Sequence, residues 1–172
     1  MLQLSTSLFN KPVMSLRTGA PVAEVVSALI NPNNLKIEGF YCNDRFNNQK
    51  LVLLYQDIRE FIDKGYIVND HDVLTEPSEL VRLSDVIKIN FELIGKQVIT
   101  TAKEKVGKVS DYAVEIETMY IQKLYVSQSL LKNFTGGSLS IDRNQINEVT
   151  DKRIIINDLI NSSTVTAAAP VA

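Results

Sequence analysis

The chain holds one histidine, His71, and one cysteine, Cys42, and these two residues bound the chemistry open to it. A zinc site of the Cys/His type needs three or four such ligands, and a disulfide needs two thiols, so one chain builds neither. A Ser–His or Cys–His nucleophile pair would depend on His71 as its base. His71 lies in Asn69-Asp70-His71-Asp72, where the flanking carboxylates offer either a charged partner or an Asp/His metal cluster. The turn-forming neighbours favour a solvated turn histidine instead. Cys42 has no His or second Cys near it in sequence and reads as a small buried hydrophobe.

Glu60 with Asp63, and Glu148 with Asp151, place two carboxylates three residues apart. General acid–base work needs paired carboxylates in a cleft that drives their pKa values apart. These pairs adjoin Lys64 and Lys152 in turn-rich stretches, so a local capping or pairing role fits them better. Gly136-Gly137 is followed by no Lys-Ser/Thr and is a turn or loop tip rather than a phosphate cradle. Arg45, Lys50, Arg59 and Lys64 are scattered, and a formal net charge of -2 supplies no bulk attraction to nucleic acid. No catalytic, cofactor-binding or metal-ligating residue is assigned. Leu130, Leu131 and Phe134, set among polar residues in Ser127–Gly137, are the candidate partner-binding cluster; the competing reading makes them a lid over a barrel end.

The elements that must position these residues are strands. Val and Ile number 17 each among 172 residues, and such side chains suit a pleated, half-buried surface. The short apolar runs 51–55, 65–68, 96–100, 120–126 and 153–156 are separated by Asn, Asp and Gly turns. One segment differs. Pro77–Ile89 carries Leu80, Leu83, Val86 and Ile87 on one helical stripe, which predicts a short amphipathic helix packed on the strands or offered to a partner. No run approaches the roughly 20 apolar residues of a transmembrane helix, and the N-terminus lacks the pattern of a secretory signal. A cytoplasmic location is the expectation.

An internal repeat organises the chain. At an offset of 84, Pro21–Cys42 aligns with Lys105–Val126, matching Val22 to Val106, Val25 to Val109, Ile37 to Ile121 and Tyr41 to Tyr125. At an offset of 88, Ile58–Asp70 aligns with Ile146–Asp158, and seven of these 13 positions are identical. The expected organisation is a first unit over residues 1–76, a helical connector over 77–91, a second unit over 92–161 and a disordered tail over 162–172. Each unit is small enough that its core stands to gain from packing on the other, and the competing reading is a single larger barrel built from two half-repeats.

These residues also carry a resemblance. Gly95-Lys96-Gln97-Val98-Ile99-Thr100 with Val106-Gly107-Lys108-Val109-Ser110-Asp111, and Asn10-Lys11-Pro12-Val13-Met14-Ser15 with Val22-Ala23-Glu24-Val25, resemble the opening of the PRC-barrel domain family. The isoleucine and valine runs before Asn69-Asp70 and Asn157-Asp158 resemble its closing strand. The first unit departs from the pattern, with Ala23 for Gly107, Ser27 for Asp111 and Asn10 for the leading Gly. The family includes the H subunit of photosynthetic reaction centres and the C-terminal domain of the ribosome maturation factor RimM. The resemblance implies an all-β chain of two tandem small bent β-barrels joined by a short helix. It implies protein contact rather than catalysis, and no cofactor. The expected function is a non-enzymatic adaptor that binds partner proteins and is open to self-association. The alternatives are a ribosome-maturation or RNA-processing-linked factor that binds a ribosomal protein without touching nucleic acid directly, and a small-ligand-binding barrel.

Overall fold

The computed structural model describes residues 1–128 and 138–158. Leu130, Leu131, Phe134, the Gly136-Gly137 pair and the 162–172 tail lie outside the described residues. The protein is all-β, with one short α-helix among the described residues. After a leading strand β1 (Leu2–Leu4), its first half comprises β2 (Lys11–Ser15), β3 (Pro21–Asn31), β4 (Lys36–Asp44), β5 (Lys50–Leu54), β6 (Ile58–Ile62) and β7 (Gly65–Val68). The helix α1 (Ser84–Ile89) leads into β8 (Gln97–Thr100), β9 (Lys105–Glu115), β10 (Tyr120–Ser127), β11 (Ser138–Asp142), β12 (Ile146–Val149) and β13 (Arg153–Ile156).

Both halves follow one plan. β2, β3, β4 and β5 pair antiparallel in sequence order, β6 and β7 form a hairpin, and β7 returns parallel to β2. β8 to β11, β12 and β13 repeat this, with β13 parallel to β8. The irregularities repeat as well. The ladders skip one residue at Val22, Val26, Glu38 and Arg59 in the first half, and at Val106, Ser110, Gln122 and Asn147 in the second. Each bulge bends its strand and raises the local twist, so matching bulges give the halves matching curvature.

β4 and β10 pair at Lys36 and Tyr120, which makes the sheet continuous from one half to the other. Leu8, Val13, Ile37, Phe40 and Tyr66 share one hydrophobic cluster with Leu93, Val98, Ile121, Leu124 and Ile154. Leu35 and Met119, equivalent in the repeat, both have positive φ (49° and 59°) although they are not glycine, and both are buried. The cost of that backbone state is offset by burying a large side chain between the halves.

The segments that precede each half cross over. β1 comes before the first half but pairs with β9 of the second. The 84–94 segment comes before the second half but packs on the first, where Val86 joins Leu29, Tyr41 and Val52 with Leu80, Leu83 and Ile87 around them. The predicted apolar stripe therefore faces the strands. The helix itself is shorter than the periodicity suggests. Pro77–Glu79 and Val81–Leu83 are single 3-10 turns, and the α-helix spans six residues, closed by Asn90 in the left-handed conformation. Leu80 has non-helical angles (φ −83°, ψ 69°), which breaks the run, and packing rather than helix propensity holds the stripe in place.

Candidate functional site

Two places on the first half gather side chains that the packing of the strands does not require. The first is polar and lies at the end of β4. Asp44 is buried, its side chain 1% exposed, and His71 Nε2 stands 2.7 Å from its Oδ1. The Asn47 backbone N–H donates to Oδ2 at 3.1 Å. Burial pushes the Asp44 carboxyl up. The hydrogen bond from His71, those from the Asn47 and Phe46 backbones and the His71 charge outweigh it and hold the group below its usual range. Phe46 is 67% exposed, and its ring meets that of His71 edge-on at 5.1 Å.

His71 is therefore a half-exposed partner of a buried carboxylate rather than a free turn residue. The signal missed in the sequence was Asp44, which sits in the turn-rich Asn43–Asn48 stretch and caps its own loop. Next to it, the Ser15 hydroxyl donates to Asp70 at 2.9 Å, and Arg17 binds the other Asp70 oxygen at 2.8 Å. The His71 backbone, the Ser15 hydroxyl and the Arg17 charge lower the Asp70 pKa. Ser15 is committed to Asp70 and buried, so Ser15, His71 and Asp44 do not align as a nucleophile relay.

The second half uses the same device. The Thr101 hydroxyl donates to Asp158 at 2.7 Å, and the Ala102 N–H donates to the same oxygen. Those bonds lower the Asp158 pKa. Asp70 and Asp158 thus tie the closing strand of each half to the turn after its first strand. Among the described residues, no group of three or more His, Cys, Asp or Glu gathers that could hold a metal ion. Glu60 and Glu148 sit exposed beside the Arg59 and Asn147 bulges, and Asp63 and Asp151 are exposed in the hairpin turns that follow. The structure places Glu60 and Glu148 within β6 and β12 and Asp63 and Asp151 in the turns beyond; Glu148 lines an open pocket with Arg143 and Asn147, but its partner in the carboxylate pair, Asp151, does not.

Cys42 is fully buried in the main cluster, and burial pushes its thiol up to about 12, so it is not a nucleophile in the folded protein.

The second place is apolar. A groove of about 290 Å³ runs between β3 and the 90–94 segment, lined by Phe9, Ser27–Ile30, Tyr41, Lys50, Asn90–Ile94 and Tyr112. Ile94 on its wall is 46% exposed, and Val26 and Ile89, which adjoin the lining residues Ser27 and Asn90 in sequence, are 43% and 44% exposed. Lys50 lies with its ammonium 4.2 Å from the Tyr41 ring centroid, a cation–π contact at the rim. Among the described residues, β3 has a strand on one side only along this groove. β2 pairs with it as far as Val25, while β4 continues to Asn31.

No protein-family model matches the chain, and no curated protein matches it. Among the described residues, no helix is long and apolar enough to cross a membrane.

Proposed function

We propose that the protein is a non-enzymatic adaptor that binds partner proteins through two tandem PRC-barrel-like units. The observation that carries this reading is the groove beside β3, where Ile94 on the wall, with Val26 and Ile89 next in sequence to its lining residues Ser27 and Asn90, keeps apolar side chains in water. Exposed apolar side chains gathered about a groove are a feature of docking surfaces. The interior supports the same reading. It is filled by Val13, Ile37, Phe40, Leu124, Ile154 and their neighbours, all fully buried, and the buried polar groups Ser15, Asp44 and Thr100 are hydrogen-bonded where strands end. A small-ligand barrel instead needs an interior cavity with converging polar groups. The shared plan of the two halves, down to equivalent bulges, supports the tandem arrangement.

The test is affinity capture from native lysate with the full chain, comparing wild type with Ile94→Lys. Partners retained reproducibly by wild type are the expected result. Absence of any reproducible partner, together with a monomeric state, overturns the adaptor reading.

A further inference from the structure

The two halves differ most at one edge. In the second half, β1 adds to β9 with Leu2, Gln3 and Leu4 opposite Glu115, Val114 and Ala113. The Ile116 N–H donates to the Met1 carbonyl, and Ser5 reaches the Asp111 carboxylate, which continues the contact along the strand. By the offset of 84, the equivalents of residues 113–115 in the first half are Leu29, Ile30 and Asn31. Here β3 pairs with β4 alone, and among the described residues no backbone hydrogen bond reaches residues 26–31 from the other side. The segment equivalent to β1 is helical at this point, and it packs through Val86 on the Leu29 face instead of adding a strand. An unpaired strand edge flanked by exposed apolar side chains is a template for another strand.

The geometry points to strand addition. An extended segment of a partner protein, with apolar residues at alternate positions, pairs with the Val26–Asn31 edge of β3 and occupies the place that β1 holds on β9. Three features of the groove fix what that segment is like. Its backbone is supplied with partners by β3, as that of β1 is by β9. Val26, Ile89 and Ile94 call for apolar side chains on the flanks. The bulge at Val26 marks one end of the pairing, because the equivalent bulge at Ser110 lies just before the segment that β1 covers.

This inference rests on the adaptor reading and names the mode of docking. The probe is a synthetic peptide of this chain's own first seven residues, Met-Leu-Gln-Leu-Ser-Thr-Ser, because that sequence pairs with the equivalent edge. Binding to the full chain is followed by fluorescence anisotropy, and its location by amide hydrogen exchange. The expected result is saturable binding, amide exchange in residues 27–31 slowed by about tenfold or more, and affinity weakened by about tenfold in Ile94→Lys and Val26→Lys. Both substitutions lie at exposed positions, and unchanged circular dichroism separates lost docking from lost folding.

Protection confined to β9, or no binding at about 1 mM peptide, overturns strand addition at β3. Self-association of the chain that is abolished by Ile94→Lys also overturns it, by assigning the edge to a second copy. A native partner that binds wild type and Ile94→Lys equally removes the edge from the account and leaves the adaptor reading standing. Loss of every native partner removes the adaptor reading itself.

Discussion

Lys36 and Tyr120 stand opposite each other in the antiparallel pair that joins β4 to β10, and the offset of 84 maps one onto the other. The hydrogen bonds on either side obey the same exchange. The Ile37 N–H donates to the Met119 carbonyl at 2.8 Å, and the Ile121 N–H donates to the Leu35 carbonyl at 2.9 Å. A local two-fold axis therefore passes between Lys36 and Tyr120. Self-complementary contacts of this kind are how two-fold interfaces are built, and here they join two halves of one chain.

Arg143 should be the side chain that most strengthens this junction. Its guanidinium donates to the carbonyls of Ile121 and Asn34 and lies 4.9 Å from the Tyr120 ring centroid. Arg143→Ala should cost about 1–3 kcal/mol, since it removes two charge-assisted bonds and leaves two carbonyls short of a donor. Urea unfolding followed by fluorescence and circular dichroism checks this. Wild type should unfold in one transition because the core is shared, and a variant midpoint equal to wild type refutes the role.

Gly65 and Gly19 should both lose stability to alanine, by different mechanisms. A Cβ on Gly65 would lie 2.4 Å from the Pro12 carbonyl oxygen, in the parallel pair of β2 and β7. Gly65→Ala must push those strands apart and should cost about 1–3 kcal/mol. Gly19 has φ +68° but nothing within 4 Å of a built Cβ, so Gly19→Ala carries only the left-handed backbone cost of about 1–2 kcal/mol. Thermal unfolding of both variants, with hydrogen exchange at β2 and β7, separates the mechanisms. Faster exchange in those strands should appear for Gly65→Ala alone.

Acid should weaken the protein through Asp44. Its folded pKa is depressed, so its contribution is complete above the ordinary carboxylate value near 3.8 and is lost as pH falls through the lower folded value. Asp70 and Asp158 act in the same direction. Stability measured by urea titration should be flat across about pH 5 to 7 as far as these carboxylates are concerned, then fall below about pH 4. In Asp44→Asn the fall should be shallower, and an unchanged slope would show that Asp44 does not couple to folding.

Cys42 should be inert in the folded chain. Its side chain is fully buried and its thiol is held protonated at neutral pH by burial. A thiol reagent such as dithionitrobenzoate at about pH 8 should react with native protein only as fast as the chain opens, and at once in denaturant. Fast reaction of native protein would place Cys42 at the surface.

The strands were legible because their residues are. The runs around Leu53, Ile67, Val98, Leu124 and Ile155 became β5, β7, β8, β10 and β13 with ends shifted by a residue or so. The offset of 84 pairs Ile37 with Ile121, and both are fully buried, each on a strand of the same place in its half's pairing order. What sequence did not reveal depends on tertiary contact. The connector is shorter as a helix because Leu29, Tyr41 and Val52 hold its stripe against the sheet without a continuous helix. The Asp44–His71 pair joins residues 27 apart in sequence, through a turn whose acceptor function no spacing announces. The open edge of β3 was hidden for a further reason. Its sequence resembles that of β9, and the difference lies in what precedes each half.

That difference gives the last prediction. β1 buries little side-chain surface, for Leu2 and Leu4 are 45% and 43% exposed, so it holds to β9 chiefly through the backbone. Removal of residues 1–4 should leave the core intact, because Leu8 and Val13 remain, but should open a second unpaired edge at residues 113–115. Loss of a few edge hydrogen bonds should cost about 1–3 kcal/mol, a drop in Tm of about 2–8 °C. The sharper consequence is exchange. Amides of Ala113–Ile116 should lose protection while those of Leu29–Asn31 stay as they were, so that the two edges become alike. If protection falls over the whole of β9 and β10 instead, β1 is part of the cooperative core and not an added strand, and its use as a guide to what binds β3 fails with it.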